Sequence, residues 1–247
     1  MRLNLHEITL RPVGVEEEPR FRRLLDTHHY LGAAAKIGHT LWYVATWQGR
    51  WLALLVLSAA AWKCAARDRW IGWDRRYQFD RLHLLANNTR FLILPEWHVP
   101  NLASRVLALC EQRVADDWQA RFGCPLWLLE TFVDPRRFRG TSYRAANWLH
   151  VGETRGFRRT RAGYSNVAEA PKLVFVRPLL AGAQARLADP ILDLRYHCGG
   201  PKLMLSAEQM RSLPAFFAEV PDPRRAQGRR HPLPVVLANA AGAVLCG

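Results

Sequence analysis

The sequence predicts an α/β (α+β) domain, a mixed sheet flanked by helices, followed by a small helical C-terminal appendage. Three observations carry this. Short β-prone apolar runs alternate with helical periodicity, in the order helix, hairpin, two strands, long helix, strand, short helix, strand. Apolar residues make up 49% of the 247, enough to bury one large core. Past residue 178 the composition turns Ala- and Pro-rich, which sets 1–178 apart as the main domain, 179–202 as a linker and 203–247 as a helical segment.

Each element has its own signal. Glu16 to Leu25 places Phe21, Leu24 and Leu25 at helical spacing and runs into the loop Asp26-Thr27-His28-His29-Tyr30-Leu31-Gly32. Thr40 to Trp47 and Trp51 to Ser58 are apolar runs around Gln48-Gly49-Arg50, a hairpin signature. The polar and aromatic stretch Lys63 to Asp80 precedes strand character at Leu82 to Leu85 and again at Phe91 to Leu94. Pro95 ends that run, and Leu102 to Phe122 repeats apolar residues at Leu102, Val106, Leu109, Val114 and Trp118, with Asn101 as its N-cap. Pro125 to Val133 reads as a buried strand paired alongside Phe91 to Leu94. Thr141 to Leu149 reads as a short helix after Gly140, Val151-Gly152 as a turn into the basic loop Arg155 to Arg161, and Lys172 to Arg177 as the last strand. Leu203 to Phe217 and Val235 to Cys246 are helical in pattern, and the apolar end at Cys246 reads as a truncation.

The net charge is +14 and the isoelectric point near 10.4, with Lys only at 36, 63, 172 and 202. Arginine matches phosphate oxygens bidentately and stacks on bases, so the excess points to a polyanion, nucleic acid above all. A G- and C-rich genome explains Arg over Lys but not the surplus of charge. Five scattered cysteines without a C-x-x-C pair argue against a disulfide framework or a zinc ribbon and fit a reducing cytoplasm. No signal peptide is visible, and the longest apolar run, Trp51 to Trp62, is too short to span a bilayer.

The residues that bear chemistry gather in two places. His29 and Tyr30 follow the first helix, where a histidine can shuttle a proton or bind a metal; the alternative is a helix terminus that favours histidine. Asp134 closes a buried strand, with Glu130 on the same face by the two-residue period, or it simply opens an Asp-Pro turn onto a basic surface. The helix from Thr141 places Tyr143 and Asn147 four residues apart, so both point back at the strand end. Arg67, Arg69, Arg75 and Arg76 interleave with Trp70 and Trp73; this suits phosphate contact with base stacking, and equally a loop whose arginine stems cover rings. Arg90, Arg136, Arg137, Arg139, Arg155, Arg158 and Arg159 complete the candidate nucleic-acid contacts.

The order of elements resembles the Gcn-five-related N-acetyltransferases. That resemblance implies a strand splayed from its neighbour, an acyl donor in the gap and its pyrophosphate on the long helix's N-terminal amides. Asp-Pro, a basic loop, Gly140-Thr-Ser-Tyr-Arg-Ala-Ala-Asn-Trp148 and Val151-Gly-Glu-Thr154, with His29-Tyr30 and Arg90 through Ser104, resemble the Mom DNA-modification proteins of Mu-like phages. The same pattern, with Arg67-Asp-Arg-Trp-Ile-Gly-Trp73 and Asn88 to Pro95, is similar to the Druantia anti-phage DruA-like family over residues 20 to 178. Leu213 to Arg225 with Arg230-His-Pro-Leu resembles the opening of insertion-sequence transposases with a DDE nuclease, whose acidic core is not in this chain.

These resemblances imply a transferase that modifies a nucleobase amine in DNA, tied to defence or a mobile element, with protein partners in such a complex. On them His29 and Tyr30 are chemistry or metal residues, Asp134 and Tyr143 donor or proton-transfer residues, and Asn101, Ser104 and Asn147 cofactor contacts. Acetyl-CoA, another acyl donor, or iron are the candidate cofactors. The chain departs from the acetyltransferase pattern at Glu96-Trp-His-Val-Pro-Asn101, which has no glycine. Two other classes stay open, a non-catalytic DNA-binding module and an acyltransferase for a small molecule or protein.

Overall fold

The computed structural model describes residues 3–33, 35–36, 38–156, 159–160, 163–164, 170–196, 214–215, 217–218, 220–224 and 231–245. Residues 1–198 form one compact unit and 199–247 a second. The first begins with β1 (Thr9–Pro12), α1 (Glu18–His28), β2 (Thr40–Trp47) and β3 (Arg50–Ala59). The turn joining β2 to β3 holds Gln48 and Gly49 at φ 48° and 76°, the two positive angles a tight hairpin needs to follow strand twist. Then come α2 (Ala65–Ile71), α3 (Arg75–Arg81), β4 (Leu85–Ile93), α4 (Leu102–Phe122), β5 (Leu128–Val133) and α5 (Thr141–Ala145). The unit closes with β6 (Leu149–Glu153), the small hairpin β7 (Arg159–Thr160) and β8 (Gly163–Tyr164), β9 (Leu173–Pro178) and α6 (Ala183–Ala188).

Seven strands make one sheet in the order β1-β2-β3-β4-β5-β9-β6. Every neighbouring pair is antiparallel except β4 and β5. The mixed sheet flanked by helices is therefore the architecture the sequence predicts. The alternation of side chains along a strand assigns the helices to faces. Tyr43 donates to Asp117 of α4 at 2.8 Å, while its neighbour Trp42 stacks on Phe21 of α1 at 4.8 Å, so α4 and α1 cover opposite faces. Phe175 and Thr131 meet Tyr143 of α5 on the α4 face, whereas Glu130 turns to Arg67 of α2 on the α1 face.

Two strand readings change. Leu82–Leu85 and Phe91–Leu94 belong to one approach: a short 3-10 turn, Leu82–Leu84, leads into the single long β4. Its pairing with β5 runs over Leu85, Ala86 and Asn87 against Leu128, Leu129 and Glu130, at the opposite end from the one expected. Past Asn87 the two strands part, giving the splay expected of an acetyltransferase-like sheet. A bulge marks the same point: Val56 pairs Arg90 and Leu57 pairs Asn88, leaving Thr89 as the extra residue.

Asn147 explains why the short helix stops before Leu149. It sits at φ 59°, its N–H donates to Arg144 O at 3.0 Å and Trp148 N–H donates to Tyr143 O at 2.9 Å, a left-handed helix end that asparagine tolerates. The chain then enters β6, where a turn had been read at Val151-Gly152; Gly152 instead sits at φ 128° at a register shift between β6 and β9. Beyond residue 178 the first compact unit continues to 198, and Ala183 and Leu187 of α6 are buried with Trp127, Leu128 and Val176, so much of the expected linker carries core.

Cys64 and Cys110 are buried free thiols and Cys124 is disulfide-bonded, where the cysteine spacing had argued only against a framework of such bonds. In the second unit α7 (Leu233–Leu245) matches the apolar helix expected there. Most of the helix expected over 203–217 lies outside the described residues. No helix among the described residues is long and apolar enough to cross a membrane.

Candidate functional site

A tyrosine hydroxyl lies on the α4 face at the point where β4 leaves β5. Tyr143 is buried; its hydroxyl donates to Asn88 Oδ1 at 3.4 Å and lies 3.4 Å from Thr131 Oγ1, which itself donates to Asn88 O at 3.0 Å. Its ring packs against Phe91 of β4, Phe175 of β9 and Trp148 just after α5. Burial raises the phenol well above its ordinary value, so it stays protonated. Gly140 sets the helix that carries it. At φ 70°, a Cβ there would lie 2.5 Å from Phe175 Cζ and 2.6 Å from its Cε2. Gly140→Ala is therefore expected to cost about 2–4 kcal/mol, the left-handed backbone and the overpacking together. Unchanged urea unfolding of that variant would refute this.

On the α1 face the loop after α1 meets the loop after β5. Arg90 of β4 holds the first, donating from Nε to Gly32 O at 2.8 Å and from Nη2 to Leu31 O at 3.4 Å, while Nη1 reaches Thr89 O at 2.8 Å. Arg90, expected on phosphate, is thus committed to backbone carbonyls. His29 accepts the Leu31 N–H on Nδ1 at 3.2 Å, which leaves Nε2 as the protonated nitrogen of the neutral ring. Burial, then the Arg90 charge, depresses His29 to about 4. It is a neutral hydrogen-bond donor at physiological pH rather than a base. As pH falls from 6.5 toward 4 the unfolded chain takes up a proton that folded His29 refuses, so stability is expected to decline through that window. An NMR titration of the His29 ring showing a midpoint near 6.5 would contradict this.

The second loop is organised by Asp134. Arg136 grips both its oxygens, Nε to Oδ1 at 3.0 Å and Nη2 to Oδ2 at 2.7 Å, and Arg136 N–H adds a bond at 3.0 Å. The Arg136 hydrogen bonds pull the carboxyl down to about 2. With its carbonyl also accepting from Arg137 and Phe138 N–H, Asp134 has the geometry of the Asp-Pro turn weighed above, not of a free acid or base. The loop projects Phe138 and Arg137 toward Tyr30: ring centroids lie 5.9 Å apart, and the Arg137 guanidinium sits 4.9 Å over Tyr30.

On the α4 face a cavity of about 340 Å³ opens between the first turns of α4 and the end of α5. Asn101, Ser104 and Asn147, the three expected cofactor contacts, all line it, with Arg105, Glu111 and Arg177. Glu111 accepts from Trp148 Nε1 at 2.7 Å and Arg177 Nε at 2.8 Å. Asn147 faces this cavity and not the strand end beside Tyr143. Asn101 stands at the N-cap position but is left-handed at φ 63° and makes no side-chain cap bond; its carbonyl accepts from Arg105 N–H and Ser104 Oγ.

With both faces described, the comparison with known proteins decides the family. The Druantia protein DruA family matches residues 3–168, about two thirds of the chain. The chain belongs to that family. No curated protein matches it by sequence. Among solved structures it is similar to the ribosomal-protein-S18-alanine N-acetyltransferase from Escherichia coli, at 13% identity and TM-score 0.44 over 70% of this chain and 94% of that one. It is similar to an aminoglycoside acetyltransferase in complex with coenzyme A, at 13%, 0.46, 72% and 98%. A third is the spermidine/spermine N-acetyltransferase from Vibrio cholerae, at 11%, 0.43, 71% and 94%.

In this DruA-family chain the loop before α4 does not fit the diphosphate of coenzyme A. Trp97, Val99 and Leu102 N–H groups donate to Leu94, Trp97 and Val99 carbonyls, and Pro100 has no N–H, so four of the six positions 97–102 offer nothing to an anion. Nor does a metal site assemble around His29: among the described residues no three His, Cys, Asp or Glu side chains come together to hold an ion.

The expected arginines divide. Arg67 is wholly buried, bonded to Glu130, Ala61 O and Asp68, so it cannot reach a phosphate. Trp73 is buried, Trp70 half-buried, and Arg69, Arg137, Arg139 and Arg155 are exposed. Arg136 is exposed but paired with Asp134. The side chains of Arg75, Arg76 and Arg159, and all of Arg158, lie outside the described residues. Asn88, Thr131 and Phe138 were missed; the only signal for Phe138 was an aromatic between Arg137 and Arg139.

Proposed function

We propose that this chain transfers an acyl-type group to a nucleobase amine, DNA before RNA, within an anti-phage system and alongside its protein partners. One observation carries the reading: the Tyr143 hydroxyl is buried beside Asn88 where β4 leaves β5, and the residues that follow it on α5, Ala145 to Asn147, line the polar cavity. A small donor occupies the cavity against Asn101, Ser104 and Asn147. The nucleic acid lies on the rim at Tyr30, Arg137 and Phe138. The amine nitrogen bonds to the donor's carbonyl carbon as the bond to the leaving group breaks. Tyr143 supplies the leaving group's proton, the acidic adduct nitrogen releases its own to solvent, and solvent returns a proton to the Tyr143 oxygen. Neutral His29, fixed beside Arg90, orients the acceptor through its Nε2 N–H.

The experiment is digestion of DNA incubated with the full chain and a panel of small acyl donors, followed by mass spectrometry of the nucleosides. A new nucleoside mass supports transfer. Its absence across the panel, together with salt-dependent DNA binding, favours the second reading, a non-catalytic DNA-binding module. That reading draws on the Arg136 clamp, which occupies both Asp134 oxygens and holds the carboxyl ionised in a turn.

A further inference from the structure

Two loops hold aromatic and apolar side chains out into water at the mouth of the splay. Phe138 is 55% exposed, Leu31 46% and Tyr30 39%. Neither loop is free to fold them away, because Arg90 ties the Leu31 and Gly32 carbonyls to β4 and Arg136 locks the turn at Asp134. The rings differ in what remains available. Tyr30 has the His29 ring stacked at 4.9 Å and 27°, and the Arg137 guanidinium on it at 4.9 Å. Phe138 touches only the Tyr30 ring, tilted at 53° and 5.9 Å, among the described ring contacts.

We propose that Phe138 is a base-stacking residue and that the nucleic acid taken at this rim is unpaired. The proposal rests on the nucleic-acid reading above and names its substrate form. Within a duplex the faces of the bases are covered by their neighbours and only edges show in the grooves. A phenyl ring held at a loop tip therefore finds a partner only where a base is unstacked. The flanking Arg137 and Arg139, on a chain of net charge +14, supply the phosphate contacts that accompany such stacking. Tyr30, tilted against Phe138, carries the Arg137 guanidinium over its ring.

The test is fluorescence anisotropy of the full chain with a labelled 12-nucleotide single strand and with a hairpin duplex of the same sequence, over a salt series. The single strand is expected to bind more tightly. Phe138→Ala should weaken its binding between about fivefold and a hundredfold, the range of one base–aromatic stack, while duplex binding stays within twofold and Phe138→Trp restores the single-strand affinity. Because Phe138 is exposed, both variants should keep the wild-type unfolding midpoint. A wild type that prefers duplex, or a Phe138→Ala variant whose single-strand affinity is unchanged, overturns the proposal while leaving the nucleic-acid reading standing. Failure of the wild type to bind either form at low salt overturns both.

Discussion

Glu130→Ala will lower the unfolding free energy by about 3 kcal/mol, the low end for a broken buried pair, because the buried Arg67 guanidinium then keeps only Asp68 as a carboxylate partner. Arg67 and Glu130 side chains are both 0% exposed and meet at 2.9 Å. Glu130 also accepts Ala61 N–H at 2.8 Å, and Arg67 returns a bond to Ala61 O at 2.7 Å, so the pair closes a ring through the backbone just after β3. Burial pushes the Glu130 carboxyl upward, and Arg67, which cannot give up its proton, opposes that shift. Urea unfolding of four proteins reads the effect: wild type, Glu130→Ala, Arg67→Ala, and the pair Arg67→Met with Glu130→Leu. Each single variant should lose most of the stated energy, and the double apolar variant should recover part of it: well-packed apolar replacements of a buried pair are often neutral or better, but Ala61 N–H and O lose the partners the pair gave them. Singles that sum to the double would show that the two side chains act independently. Arg67→Met with Glu130→Leu should also keep the salt dependence of DNA binding, because Arg67 contacts no solvent.

That pair marks a limit on what the sequence discloses. Arg67 stands among Trp70, Trp73 and other arginines, a pattern that fits a phosphate-binding strip and a buried loop equally well. Deciding between them needs Glu130, 63 residues away and brought to α2 only by the sheet. The long helix needed no such partner. Leu102, Val106, Val114 and Trp118 of the expected face are buried, with Leu109 half-buried beside the buried Cys110, and Gly123 at φ 68° ends the helix where glycine is cheapest. The hairpin was legible for the same reason, through Gln48-Gly49. By contrast β4 reads as two short runs because Asn87, Asn88 and Thr89 interrupt its apolar pattern. Those polar residues are where the strand leaves β5, and Asn88 is the partner of Tyr143. The interruption that obscured the strand is thus the mark of the site. Helical spacing aimed Asn147 at the strand end beside Tyr143, whereas it ends the helix and lines the cavity, since that spacing gives no sign of a left-handed residue before it is built.

Tyr143→Phe is the substitution with the largest expected effect on transfer, about a 10²- to 10⁴-fold loss of rate, the contribution of one positioned acid. Its cost in stability should be small, about 1 kcal/mol or less, because the hydroxyl's two bonds are long at 3.4 Å and the ring, which supplies the packing against Phe91, Trp148 and Phe175, is retained. Single-strand affinity should stay within twofold, since the hydroxyl lies inside the gap and Phe138 lies outside it. The informative comparison is with Asn88→Ala, which removes the acceptor that aims the hydroxyl without removing the acid. If Tyr143 donates a proton, Asn88→Ala should lose less rate than Tyr143→Phe, and the loss should shrink with donors whose leaving groups are more acidic, because these need less protonation as they depart. A Tyr143→Phe chain that transfers at the wild-type rate would reduce the tyrosine to a core residue that fills the splay, and the proton would have to come from solvent.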